Sequence, residues 1–229
     1  MSQTAVAAPK APLSHRMRTW LGDNALRIYA VIAFVYLLLP VAYTFAFSFN
    51  DAGRTNIVWN SFTFDNWLNP CGAPEVCPSV VNSLGVGLIV TIVSTILGTL
   101  IAFSLVRYRF RGRATTNLLI FLPMATPEVV LGSSLLALFL NLFVPLGATT
   151  VILAHIMFCI SFVVVTVKAR LASLDPRLEQ AAMDLYASER EAFRRITLPL
   201  VAPGIAAAGL LAFSLSFDDF IITNFNSGQ

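Results

Sequence analysis

From Val129 to Val167 the chain runs for 39 residues without an Asp, Glu, Lys or Arg. A helix crosses the hydrocarbon of a bilayer in about 20 apolar residues. The run is therefore too long for one crossing and scarcely enough for two plus the turn at Val144-Pro145-Leu146-Gly147. That shortage pushes the start of the earlier crossing back to about Asn117 and places Pro123, Pro127 and Glu128 inside it. Charged residues are 12% of the 229, against roughly a quarter in a soluble domain. So few cannot cover a watery surface without leaving wide apolar patches, which excludes soluble enzymes and nucleic-acid-binding modules.

The same length rule gives an all-α polytopic membrane protein with five spans, at about 28–49, 84–106, 117–143, 150–167 and 200–222. The first is too long for a leader core and lacks a small-x-small cleavage site, so it reads as a retained signal anchor. Gly85, Gly87 and Gly98 in the second suit close helix approach. The membrane domain occupies residues 28–229 and a basic tail residues 1–27. Residues 1–12 are Ala/Pro-rich and expected to be disordered. Leu13, Met17, Trp20 and Leu21 lie opposite His15, Arg16 and Arg18, which fits either a short interfacial helix or simply a basic tail.

The chain is basic, with a net charge of +3, and the placement of its cations gives that charge a meaning. With the N-terminus cytoplasmic, fourteen of the fifteen Lys and Arg residues fall inside and Arg54 alone outside, which is the positive-inside bias. The pI then reports topology rather than nucleic acid. The outer loop, about 50–81, holds Trp59, Trp67 and the pair Cys71 and Cys77. On an oxidising face this pair either closes a six-residue disulfide step or stays as two thiols; no His accompanies it as a metal ligand would require. Cys159 lies mid-span and reads as packing.

Residues 168–199 form the long internal loop. Asp175-Pro176 is a helix start, with an acceptor followed by a proline where no N–H is needed. Leu178, Ala181, Ala182 and Leu185 then give one narrow apolar face. Ser188 to Glu191 is a capping box for a second helix, carrying Phe193 and Ile196 and expected to stop near Pro199. Two short helices joined at Tyr186-Ala187 cannot bury such a face alone. It packs either on a partner protein or back on its own membrane domain.

The stretch Glu179-Gln180-Ala181-Ala182-Met183-Asp184-Leu185-Tyr186, followed after nine residues by Ile196-Thr197-Leu198-Pro199, resembles the EAA loop of binding-protein-dependent ABC importer permeases, E-A-A-x3-G-x9-I-x-L-P. Gln180 stands at the usual Glu position, with Glu179 one residue earlier, and Tyr186 replaces the Gly. Ser216-Phe217-Asp218-Asp219-Phe220 and Pro127-Glu128-Val129-Val130 are similar to the spermidine/putrescine branch, and iron(III), sulfate and aminophosphonate permeases carry neighbouring variants. The resemblance implies the transmembrane domain of a type I ABC importer, with five spans visible of an expected six-span core. On that pattern the chain looks one helix short, as a truncated product or an incomplete sequence.

It implies as partners two ATPase subunits, a second homologous permease subunit and an extracytoplasmic solute-binding protein, besides membrane lipid. ATP and Mg would sit on the partner ATPase and no cofactor on this chain. Residues Glu179 through Ala187, with Ile196, Leu198 and Pro199, would form the ATPase-coupling loop. In the implied assembly, closure of the ATPase on this helix pair switches the bundle between inward and outward access.

Three carboxylates fall at membrane depth, Glu128, Asp218 and Asp219. Such groups usually face a bundle interior or a water path, where they can replace the hydration of protonated amines by charge-assisted hydrogen bonds. Adjacent helical residues point about 100° apart, so Asp218 and Asp219 cannot both face one pore, and one of them is free to act as a cap. Glu128 lines the path or accepts backbone donors freed at Pro127. His155 and Asn141 read as interhelical or packing polar groups, and Pro123 and Pro127 as a helix break that exposes carbonyls to a cavity.

Several chemistries are missing from the sequence. A phosphate-binding loop needs Gly-Lys, whereas Lys10 and Lys168 follow Pro9 and Val167. No zinc or nucleophile-elbow motif is present, which leaves an intramembrane enzyme without a constellation. An ion-coupled carrier would leave the EAA-like loop without a purpose.

Overall fold

The computed structural model describes residues 13–51 and 56–228. The tail 1–12, Arg54 and the side chains of residues 13–23, which include the interfacial pattern, lie outside what it describes. The described residues are helical apart from their connections and one isolated bridge, Asn50 with Phe62. They form two compact units that divide between Cys77 and Pro78.

In the first unit, α1 (Leu13–Phe47) continues unbroken through the expected start of the first span. Its large apolar side chains from Tyr29 to Phe45 are exposed, as suits a helix whose solvent is hydrocarbon. Pro40 removes one backbone donor, and the Thr44 hydroxyl donates to the Pro40 carbonyl at 2.9 Å. Beyond it, the fully buried Asn50 organises the connection to α2 (Asp65–Leu68). Its amide donates to Asn56 Oδ1 and the Val58 carbonyl, each at 2.8 Å, while its Oδ1 accepts the Asn60 N–H. Phe49 packs against Phe45, Phe62, Phe64 and Trp67. Cys71 and Cys77 are joined by a disulfide, with their Cα atoms 5.3 Å apart.

The second unit is built on α6 (Ala148–Ala172), longer at both ends than the expected 150–167. Val163, Val164 and Val167 of α6 lie in the core with Val201, Ala208 and Ala212 of α9 (Leu198–Asp218). The helix α3 (Val76–Arg107) meets both of these through glycine. A Cβ on Gly98 would stand 2.6 Å from Val163 Cγ1, and one on Gly87 3.2 Å from the Phe213 ring. Gly85 faces open space, so only two of the three expected close approaches occur.

The expected span 117–143 is two helices, α4 (Arg113–Ala125) and α5 (Glu128–Asn141), bent by 111°. Thr126 precedes Pro127, which disfavours helical geometry there. It is extended at φ −88°, ψ 132°, and its hydroxyl donates to the Leu122 carbonyl at 2.7 Å. The expected last span, 200–222, also breaks. The helix α9 ends at Asp218, Asp219 is extended, and α10 (Ile221–Asn226) turns to pack on α5 at Gly132, where a Cβ would stand 3.0 Å from a Phe225 ring carbon.

Close packing at Gly98 leads to a test. Gly98→Ala is expected to destabilise the detergent-solubilised protein by about 1–3 kcal/mol through overpacking. Gly85→Ala should be neutral or stabilising by up to about 1 kcal/mol, both read as shifts in thermal unfolding.

Candidate functional site

Two regions concentrate polar and chemistry-bearing groups, and the first is the loop between α6 and α9. It contains α7 (Arg177–Asp184), α8 (Glu189–Ala192) and a π-helical turn, Phe193–Thr197. Asp175 Oδ1 accepts the Arg177 N–H at 2.9 Å and so starts α7. The Ser188–Glu191 box is formed in both directions: Ser188 Oγ accepts the Glu191 N–H, and Glu191 Oε2 accepts the Ser188 N–H. The second helix does not stop near Pro199 as its sequence led us to expect. Pro199 has no N–H for the preceding turn, and the chain passes through the wide π turn directly into α9.

Between α7 and α8 the chain reverses in a Schellman turn. The Ala187 N–H donates to the Ala182 carbonyl at 3.1 Å and the Tyr186 N–H to the Met183 carbonyl at 3.0 Å, which is the paired pattern of that motif. Tyr186 adopts the left-handed conformation, φ 66°, where glycine is usual. Its side chain is 99% exposed and that of Leu185 81%. Gln180, Ala181, Met183 and Asp184 are also exposed, while Glu179, Ala182, Ala187 and Ile196 are half-buried. Leu198 and Pro199 are exposed at the start of α9. Among the described residues none covers the α7 face. A cleft of about 290 Å³, lined by Ala182, Leu185, Tyr186, Ala187 and Ile196 among others, opens beside the turn.

The Glu179 side chain turns the other way. Its carboxylate accepts from the guanidinium of Arg107, the last residue of α3, and from the hydroxyl of buried Thr197. Nearby, Arg170 at the end of α6 donates from Nε and Nη2 to the Leu200 carbonyl, at 3.0 and 2.8 Å. Gly204 admits it, since a Cβ there would lie 2.5 Å from Arg170 Cγ.

The second region surrounds the break between α9 and α10. His155, 1% exposed, places Nδ1 2.9 Å from Ser216 Oγ and Nε2 2.9 Å from Thr223 Oγ1, so one ring nitrogen donates and the other accepts in either neutral tautomer. Beside it a cavity of about 490 Å³ is lined by Asn82, Ser83, Ser216, Phe217, Asp218 and Asp219 among others. A second cleft, about 280 Å³, is lined by Glu128, Ser214, Asp218, Asp219 and Phe220 with two neighbours. Asp218 is exposed. Asp219 Oδ1 instead accepts the Ile222 N–H at 2.7 Å, and its carbonyl accepts the Thr223 hydroxyl. The two carboxylates have separated tasks because the helix ends between them. Among the described residues no cluster of His, Cys, Asp and Glu is arranged to hold a metal.

Residues 94–226 match the family of binding-protein-dependent transport system inner membrane components, more than half of the chain. The chain belongs to that family. Among its relatives, the spermidine/putrescine transport system permease protein PotC of Haemophilus influenzae is 34% identical, over 86% of this permease and 76% of the relative. PotC of Escherichia coli K12 is 37% identical over 85% and 74%, and the putrescine transport system permease protein PotI of the same strain is 36% identical over 86% and 73%. The fold matches a solved bacterial ABC transporter involved in import of the acidic polysaccharide alginate. That match has a TM-score of 0.56 at 19% identity and covers 91% of the permease and 74% of the solved chain. The permease is an ABC importer transmembrane subunit, a multi-pass inner-membrane protein of a system that works with ATPase and substrate-binding partners.

In the permease, Glu128, Asp218 and Asp219 line one cleft, and the residues from Gln180 to Ala187 make the tip of the 168–199 loop. Sequence reasoning missed Arg107, Thr197 and Arg170. In the sequence Arg107 is only one of the fourteen inner cations, and no local spacing links it to Glu179, 72 residues on. The left-handed Tyr186 carries a cost of about 1–2 kcal/mol for a side chain in that conformation. Tyr186→Gly is therefore expected to raise stability by about 1 kcal/mol, and Tyr186→Val, branched at Cβ, to lower it. Both are read as shifts in the melting temperature of the purified permease.

Proposed function

We propose that this permease moves polyamines of the spermidine/putrescine class into the cytoplasm as one of two transmembrane subunits of an ATP-driven importer. Relatives at 34–37% identity named for spermidine and putrescine transport support the substrate, and so does a cleft whose carboxylates suit protonated amines. Glu128 and Asp218 are the exposed pair on that cleft. Each would exchange part of an ammonium group's hydration for a charge-assisted hydrogen bond. Asp219, committed to α10, would hold the shape of the path.

An external binding protein delivers the substrate, and two ATPase subunits, carrying ATP and Mg, grip the tip from Gln180 to Ala187. The uncovered α7 face is the observation that carries this docking. The N-terminus and the 168–199 loop lie in the cytoplasm, where the positive-inside bias puts fourteen of fifteen cations. The permease itself has no Gly-Lys for a phosphate-binding loop, so hydrolysis belongs to the ATPase.

ATPase stimulation in the reconstituted importer separates the substrates. Binding protein loaded with spermidine is expected to stimulate it. Stimulation only by an iron- or anion-loaded protein would replace the polyamine with that solute, and uptake driven by an ion gradient without ATP would remove the importer reading. Asp218→Asn should raise the KM for spermidine about tenfold, the scale of one charge-assisted hydrogen bond. Ala182→Glu, placing a charge on the docking face, should abolish uptake without changing the melting temperature of the isolated permease.

A further inference from the structure

We infer that Arg107 is a positioning residue that fastens α3 to α7, so that α3 moves with the docking helix. The inference rests on the reading of α7 as the helix the ATPase grips. Both α6 and α9 are continuous with the 168–199 loop and follow its motion through the chain. The helix α3 is not continuous with it. It ends at Arg107, 72 residues before Glu179, and needs a through-space link.

The geometry supplies one. The Arg107 guanidinium donates to the Glu179 carboxylate on α7, and that carboxylate also takes the hydroxyl of Thr197 at the end of the π turn. The guanidinium carbon lies 6.0 Å from the ring centre of Phe103 on α3 and 5.3 Å from that of Phe193 on the π turn. These two rings meet edge to face at 5.4 Å. One side chain thus touches α7 and the π turn while resting on its own helix, through an ion pair and cation–π contacts together.

The surroundings set this pair between two open clefts. A cavity of about 230 Å³ lies on one side, lined by Val106, Leu171, Leu178 and Leu200 among others. Another of about 310 Å³ lies on the other, lined by Tyr108, Met183 and Glu189 among others. Arg107 and Glu179 line both. Between the end of α3 and α7 there is therefore open space on either side of the pair, and the contact of Phe103 with Phe193 lies beside it on the π turn. Of the arginines at 107, 109, 111 and 113, Arg107 alone forms an ion pair among the described residues. Lysine would not substitute fully, because a point charge lacks both the planar fork and the face that rests on the rings.

The test uses the complete importer in liposomes, with permease subunits, ATPase and spermidine-loaded binding protein. Nitroxides at Tyr108→Cys and Met183→Cys flank the pair, and their separation is measured with and without trapped ATP. With Arg107 present a single narrow distance is expected in both states; with Arg107→Ala the distance should shift or broaden by several ångström on ATP binding. Uptake per ATP hydrolysed should fall about tenfold in Arg107→Ala, and by less in Arg107→Lys, which serves where the alanine variant does not assemble. A distance in the native importer that changes with ATP as much as in the variants would overturn the proposal, as would unchanged uptake per ATP in both variants. Failure of the native permease to retain the ATPase on purification would instead remove the reading of α7, and this role with it.

Discussion

In hydrocarbon no water is available to take up a free backbone N–H or carbonyl, so any helix that breaks has to repair the break from within the protein. Among the described residues, breaks show such local hydrogen bonds. At Thr126 the backbone N–H still reaches the Leu122 carbonyl, and the hydroxyl adds a second bond to it. Where α9 gives way to α10, the Asp219 carboxylate takes the Ile222 N–H. Before α6, the Thr150 hydroxyl accepts the Gly147 N–H and donates to the Asn226 carbonyl. The polar residues at depth are in large part the cost of bending helices there, and the bends in turn create the clefts.

This explains how one short stretch serves two purposes. Read as a continuous helix, Asp218-Asp219 points its carboxylates about 100° apart. The break gives them different backbones instead: Asp218 closes α9 and stays exposed, while Asp219 is held by α10. His155 ties the same junction to α6 through Ser216 and Thr223. A polar residue on the most buried helix thereby fixes the angle at which the acidic cleft opens.

The apolar runs and the caps at Asp175 and Ser188 were legible in the sequence because each depends on residues within one or two turns, whereas Gly98 signalled a close approach but not Val163 as its partner. Two breaks were less so. Pro127 announced its own, but not the 111° that tertiary packing of α5 on α10 imposes. Asp219-Phe220 carries no proline or glycine to announce anything, and its break follows from the seat α10 finds at Gly132. The π turn before Pro199 escaped because proline there also fits an ordinary helix start. Asn50 and Arg107 were invisible for a different reason: their partners are chosen by the fold, across an irregular loop for Asn50 and 72 residues on for Arg107.

The turn at Tyr186 is held by backbone bonds from Ala187 and Tyr186 themselves to α7 carbonyls, and the phenol touches almost nothing of its own chain. Shape and surface chemistry are thus uncoupled at the very tip of the loop. The backbone decides where the knob stands, and the side chain decides only what it offers. Such a position can exchange residues to suit a different matching surface without refolding anything behind it, at the modest energetic penalty of one left-handed residue.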